Sequence, residues 1–404
     1  MAGPVAEVAG MRRETVRTRD EQPLLLALLT RVDWLLLGGI GGLVGFGLWA
    51  LAGFTRFDAG VSVTGAPKDP HYFVVHQGVF AAIGGLGFVV AVLLDPAIYL
   101  RFWRFLYGGM LVGLLVVLAA SPVRNTHRWI PLGSFQLQPS EFGKPLIVLA
   151  LAGYLAERGR RTREPVTALV ALALALPAML LVFVEPDLGT ALVYAAALAA
   201  ALYVAGTPWL QLAAGAAGAV VIAFLIIWGI PDLTGHEVLR PYQKARLVGY
   251  THASSDPTGP NYNVFQSKTA VASGGVNGRG IQDATQTKFN FLPAHRTDFA
   301  FAAFAEQHGF VGASVLLLLY LLVLWRGIRV VTLAEDAFSA IVAGGIVCML
   351  LFQIVINTGM TMGIAPVTGI PLPLVSYGGS SMIASLVALG LLLGIQVRSA
   401  RRRW

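Results

Sequence analysis

Four polar stretches hold the residue types in this chain that could do chemistry. The first is SSDPTGPNYNVFQSKTAVASGG, residues 254–275, with a single acid, Asp256, directly before Pro257. A carboxylate set near cations and beside a hydroxyl-bearing substrate can serve as a general base. The plain alternative is a turn, because Asp before Pro starts turns by bonding nearby backbone. The second stretch is RNTHRWIPLGSFQLQPSEFGK, 124–144, where Glu141 and Lys144 follow Pro139 three residues apart. On a helix they share a face, either as a capping acid with its ion pair or as the lining of a polar cavity. The third is EPD, 185–187, where Glu185 and Asp187 flank Pro186 as an interfacial turn or as further cavity lining. The fourth is GIAPVTGIPLPLVSYGGSS, 363–381, rich in Pro and Gly and carrying Ser376, Ser380 and Ser381. It lacks the GKS or GKT ending of a phosphate loop. The chain has no His-Glu-x-x-His and no Gly-x-Ser-x-Gly pattern, which weakens hydrolase readings.

The elements that must position these stretches are membrane helices. The chain is 56% hydrophobic and 12% charged, against about 25% charged in soluble domains. Its mean hydropathy is +0.70. Composition thus indicates an all-α polytopic membrane protein with one bundle filling the chain. A crossing helix needs about 20 apolar residues. Ten stretches qualify: 34–54, 73–95, 105–121, 141–156, 166–184, 188–206, 210–230, 299–325, 337–358 and 379–397. The single cysteine, Cys348, lies in an apolar run and excludes disulfides and cysteine metal sites. The arginine-rich N-terminal residues show no signal-peptide pattern.

Charge orients the bundle, so the net +8 reads as topology rather than as nucleic-acid binding. Arg12, Arg13, Arg17, Arg19 and Arg31 precede the first span; Arg101 and Arg104 follow the second; Arg158, Arg160, Arg161 and Arg163 follow the fourth. Arg326 and Arg329 follow the eighth, and Arg398 with Arg401 to Arg403 closes the chain. With ten spans all of these fall on one side, which the positive-inside rule makes cytoplasmic. The expected layout is a cytoplasmic tail 1–33, a ten-helix domain 34–397 with a long extracytoplasmic loop 231–298, and a cytoplasmic tail 398–404. All four polar stretches then face outward. The loop carries Arg240, Lys244, Arg246, Lys268, Arg279, Lys288 and Arg296 against Asp232, Glu237, Asp256 and Asp283. Such a surface fits anionic membrane lipid or a lipid-linked phosphate substrate bound by charge-assisted hydrogen bonds. Short interfacial helices are expected in it, at YQKARLVGY and YNVFQSKTAVA. A re-entrant or broken-helix element is expected at 363–381, where non-helical backbone must be buried in protein or line a wet cavity.

These same stretches carry a resemblance. NTGMTMGIAPVTGIPLPLVSYGGSS, 357–381, resembles the signature of the SEDS proteins, the group of RodA and FtsW, with Asn357, Gly363, Pro366, Gly369, Ser376, Tyr377, Gly378 and Gly379 in the expected places. RWIPLGSFQLQPSEFGK, EPDLGTA and SDPTGPNYNVFQSKTAVASGG resemble three further motifs of that family, and the SDP form is closer to the RodA branch. Two positions depart from the pattern: Ala294 where the family has Glu, and Ala284 where it has Gly. The resemblance implies a peptidoglycan glycosyltransferase acting on lipid II and nascent glycan, both linked to undecaprenyl diphosphate, in the cytoplasmic membrane. It makes Asp256 the essential carboxylate, and a class B penicillin-binding protein the transpeptidase partner. Arg128, Lys144, Arg240, Arg246 and Lys268 are the cations assigned to the diphosphate, with Ser376 also assigned to substrate. Glu141 and Asp187 are assigned to ordering the cavity or holding a divalent cation, for which the sequence gives no ligand set. Two other classes remain open. A lipid II flippase would need ionisable groups reachable from both faces, and a membrane scaffold for the penicillin-binding protein would survive loss of Asp256.

Overall fold

The computed structural model describes residues 31–56, 71–120, 128–132, 135–229 and 262–399. Helices α1 (Trp34–Thr55), α2 (Tyr72–Leu93) and α3 (Pro96–Ala119) lead to a two-stranded antiparallel hairpin, β1 (Ile130–Leu132) and β2 (Phe135–Leu137). Then come α4 (Pro139–Arg158), a 3-10 turn (Gly159–Arg163), α5 (Pro165–Val184), α6 (Leu188–Val204) and α7 (Trp209–Phe224), which continues as a π turn to Gly229. After the loop follow α8 (Tyr262–Gly274), the single turns α9 (Gly280–Asp283) and α10 (Thr285–Lys288), and α11 (Ala300–Leu333), α12 (Ala337–Thr361) and α13 (Gly379–Ser399). A helix lies in each of the ten expected spans, from 16 residues in α7 to 34 in α11. Eight helices among the described residues are long and apolar enough to cross a membrane. The fourth expected span is the more polar α4, and the sixth is the 17-residue α6.

Local chemistry sets the helix starts. Asp33, Asp95, Asp187 and Asp336 each accept a backbone N–H of the following turn, which satisfies a donor that the helix itself leaves free. Pro96, Pro139 and Pro165 occupy first-turn positions, where a missing N–H costs nothing. The third span therefore begins at Pro96, nine residues before the hydropathy estimate, because Arg101 and Arg104 interrupt the apolar run without interrupting the helix.

Burial runs opposite to that of a soluble protein at the rim. Phe105, Leu86, Trp209 and Phe310 are exposed, as expected where the surrounding solvent is lipid. At the centre, α4, α12 and α13 bury most of their length. There α2 and α13 pack with their backbones nearly touching: a Cβ on Gly390 would meet Phe88 O at 2.5 Å and Phe88 Cα at 2.8 Å. Small residues at such contacts are how membrane helices gain packing without a hydrophobic driving force. Gly390→Ala is expected to destabilise the protein by about 1–3 kcal/mol through overpacking, read as a lower melting temperature in detergent. Gly85→Ala, which meets nothing within 4 Å, is the control and is expected to leave the melting temperature in place.

The two ends of the bundle differ in chemistry. One end is basic. Arg326 pairs with Asp33, Asp33 N donates to Gln396 Oε1 at 3.0 Å, and Arg398 donates to Val92 O and Leu93 O at 2.8 and 2.7 Å. Arg104 bonds Glu157 at 2.7 Å at this same end, just before Arg158 and the 3-10 turn with its three arginines, Arg160, Arg161 and Arg163. The other end holds the hairpin, the α5–α6 turn and the non-helical run between α12 and α13.

Candidate functional site

The hairpin sits on the start of α13. Ser380 Oγ donates to Gln136 O at 3.2 Å and accepts from Gln138 N at 2.9 Å. Gln138, the last residue before α4, reaches with Nε2 to Ser140 Oγ and to Asp187 Oδ2, each at 3.2 Å. Asp187 in turn caps α6, accepting from Thr190 N at 3.1 Å and from Thr190 Oγ1 at 3.0 Å. The second, third and fourth motifs therefore meet in one hydrogen-bonded assembly.

One turn deeper, Lys144 Nζ donates to Glu141 Oε1 at 2.6 Å and to Gln353 Oε1 of α12 at 3.2 Å. Glu141 and Lys144 are both 3% exposed. The spacing of three that the sequence offered is an ion pair, and Gln353 ties it to the facing helix. Tyr194 of α6 donates to Ser140 O at 3.0 Å, in space left by Gly143, where any Cβ would overlap the Tyr194 hydroxyl.

Arg128 enters from the hairpin side. Its Nε donates to Glu185 O at 2.8 Å, and its guanidinium also bonds Pro186 O. Glu185, in the turn just beyond α5, is fully buried, and neither carboxylate oxygen has a hydrogen-bond partner among the described residues. Burial, helped by the negative charge of Asp187 and opposed by Arg128, pushes its carboxyl from 4.5 up to about 8. A carboxyl raised on folding binds its proton more tightly in the folded chain. Its contribution to stability is complete below 4.5 and is lost as pH rises towards about 8. The melting temperature is expected to fall over that window in wild type, and Glu185→Gln is expected to remove this component of the slope. An unchanged slope in the variant would show that Glu185 does not titrate there.

The 363–378 run is non-helical and largely buried. Asn357 Nδ2 anchors it by donating to Ile370 O at 2.7 Å and to Asp298 O at 2.9 Å. Ser376 is buried; its Oγ donates to Thr297 O at 2.6 Å and accepts from Leu372 N at 2.9 Å, so the hydroxyl is committed to backbone. Gln77 of α2 donates to Ser376 O at 3.1 Å and accepts from Gly378 N at 3.2 Å. Beside it Tyr377 has its hydroxyl pushed up to about 12, first by burial and then by Tyr72, with Arg296 opposing. Arg296 lies 4.3 Å from the Phe73 ring centroid, a favourable cation–aromatic contact.

The tail of the Asp256 motif forms α8, a 13-residue helix. Ser267 Oγ donates to Thr361 O at 2.8 Å, and the Lys268 side chain passes over Gly363. Lys268 is exposed and has no carboxylate partner among the described residues. The turn after α8 seals a break in α11, where Gly309 leaves the helix at φ 65° and ψ −165°. Phe310 N and Val311 N donate there to Gly275 O and Val276 O at 2.9 and 3.1 Å. Buried Glu306 of α11 accepts from Gln286 N, Thr287 N and Thr287 Oγ1 at 2.8, 3.0 and 2.7 Å. Asp256, Arg240 and Arg246, with the YQKARLVGY segment, lie outside the described residues. Among the described residues no three His, Cys, Asp or Glu side chains come together as a metal site.

Sequence reasoning passed over Gln77, Gln138, Gln353 and Glu306, which connect the elements. Of these, only Gln353 stands alone in an apolar stretch, which signals burial in a membrane helix without naming the partner.

Fold and site together define a polytopic all-α membrane protein whose polar assembly lies at the end of the bundle opposite the arginine cluster of Arg104, Arg158 to Arg163, Arg326 and Arg398. The chain belongs to the SEDS family, matching the FtsW/RodA/SpoVE group, described as cell cycle proteins, over residues 46–401. It is 35% identical over 384 residues to stage V sporulation protein E of Bacillus subtilis, covering 94% of this chain and 98% of that one. It is 36% identical over 318 residues to the peptidoglycan glycosyltransferase MrdB of Escherichia coli, covering 78% of this chain and 83% of that one. Among solved structures, a chain of a peptidoglycan synthase complex that coordinates polymerization and crosslinking aligns with a TM-score of 0.75 at 31% identity, over 92% of this chain and 99% of that one. The rod shape determining protein RodA of Thermus thermophilus aligns with a TM-score of 0.64 at 28% identity, over 90% and 96%.

Proposed function

We propose that this chain is a peptidoglycan glycosyltransferase that polymerises lipid II into glycan strands for cell elongation and shape. The observation that carries the reading is the convergence of the family's motifs at one end of the bundle, in a relative of a named peptidoglycan glycosyltransferase. The gathering of arginines at the opposite end supports an active site on the extracytoplasmic side of the cytoplasmic membrane.

In the proposed reaction Asp256 accepts the proton of the GlcNAc 4-hydroxyl of an acceptor lipid II. The freed oxygen bonds to the anomeric carbon of the lipid-linked MurNAc as its bond to diphosphate breaks. The electron pair leaves with the lipid diphosphate, and the centre inverts from α to β. Cations near the leaving diphosphate stabilise the charge that develops there. Exposed Lys268 suits that role among the described residues, with Arg240 and Arg246 from the adjoining loop. Lys144 and Arg128 are already engaged, with Glu141 and with the 185–186 carbonyls, and are assigned to holding the cavity's shape and field. A class B penicillin-binding protein is the proposed partner that crosslinks the product.

The test is glycan synthesis from purified lipid II by the full chain reconstituted with its partner. Polymer is the expected product. Lipid II crossing the bilayer without polymer would replace this reading with a flippase.

A further inference from the structure

At the basic end of the bundle, far along α4 from the motifs, lies a cavity of about 480 Å³ lined by Trp103, Arg104, Tyr154, Glu157, Arg158 and Arg161. Three guanidinium groups meet one carboxylate there, and that carboxylate is fully engaged. Glu157 Oε1 accepts from Trp103 Nε1 at 2.9 Å, and Oε2 accepts from Arg104 at 2.7 Å. Arg158 and Arg161 have no carboxylate partner among the described residues. The Arg158 guanidinium lies 5.1 Å from the Tyr154 ring centroid. Tyr154 is 7% exposed, and its hydroxyl has no hydrogen-bond partner among the described residues. The cavity thus offers two unpaired cations and an aromatic wall.

An anionic oxygen cluster answers both cations at once. Phosphate oxygens accept from guanidinium groups in short, charge-assisted bonds. The surroundings identify where the phosphate comes from. Phe102 and Phe105, which flank Trp103 and Arg104 in α3, are exposed, so the turn of helix that lines the cavity also carries lipid-facing apolar side chains at the same level. Basic pockets between membrane helices at this level hold anionic headgroups. We infer that the cavity is a binding site for the phosphate of an anionic membrane lipid, separate from the lipid-linked substrate site at the other end of the bundle.

The test uses the purified full chain, with native mass spectrometry of adducts formed with phosphatidylglycerol, phosphatidylcholine or inorganic phosphate. Wild type is expected to retain phosphatidylglycerol in preference to phosphatidylcholine. Arg158→Gln with Arg161→Gln is expected to lower that retention by about tenfold or more, whereas Tyr154→Phe, which keeps the ring under Arg158, is expected to leave it close to wild type. Arg101→Gln with Arg329→Gln removes the same charge outside the cavity and is expected to keep retention close to wild type. Equal retention of the two lipids, or an equal loss in the control pair, overturns the site. Inorganic phosphate that binds alone and displaces phosphatidylglycerol upholds an anion site and overturns the lipid as its source.

Discussion

Asp256→Asn is expected to lower glycan polymerisation from lipid II by about 10²–10⁴-fold, the usual contribution of a positioned general base. That range corresponds to about 3–5.5 kcal/mol of barrier. The substitution keeps size and hydrogen-bonding reach but cannot accept the proton, so lipid II retention by the purified chain is expected to remain. A loss of both binding and polymerisation would instead assign Asp256 to holding the acceptor. Equal polymerisation by variant and wild type would make it a turn residue, the role that Asp before Pro plays in ordinary loops. Asp256→Glu separates base strength from placement. It keeps the charge and moves it by one methylene, so an activity between wild type and Asn supports chemistry that depends on distance. The readout is product length and amount at fixed lipid II, beside a binding measurement under the same conditions.

How much of this arrangement was legible in the sequence depended on whether a feature carried its own period or partner. The apolar stretches were plain because a span of about 20 residues leaves few readings, and a helix lies in each, eight of them long and apolar enough to cross a membrane among the described residues. The Glu141–Lys144 pair was legible because a spacing of three has a fixed meaning on a helix. The start of α3 was hidden by Arg101 and Arg104, which broke the hydropathy signal, although Asp95-Pro96 carried a cap and a first-turn proline. The glutamines were hidden for a different reason. Gln77, Gln138 and Gln353 each bond residues distant in sequence, and a lone amide gives no spacing from which to read a partner. Ser376 is assigned to substrate by the resemblance alone, and no spacing in the sequence shows that its hydroxyl bonds Thr297 O and Leu372 N. The tail of the Asp256 motif was expected to hold a short helix and does so at α8, while the segment around Asp256 lies outside the described residues.

Breaking the Glu141–Lys144 pair from one side is expected to cost about 3–5 kcal/mol of stability, because it leaves an uncompensated charge in a dry interior. Glu141→Gln strands the Lys144 ammonium with only the Gln353 carbonyl, and Lys144→Met strands the Glu141 carboxylate. Each single variant should therefore melt well below wild type in detergent. The double variant Glu141→Gln with Lys144→Met removes both charges and keeps the volume, so it should recover most of the loss; replacing a whole buried pair by neutral groups is often close to neutral. The non-additivity of this cycle measures the coupling between the two residues. Additive losses would mean that the 2.6 Å contact is not a coupled pair. The activity of the double variant then distinguishes two roles that the geometry alone permits. If polymerisation returns with stability, the pair fastens α4 to α12 and the reaction ignores its charge. If stability returns and polymerisation does not, the field of these charges is used at the diphosphate, and a buried ion pair persists here because neutral residues of equal stability cannot supply that field.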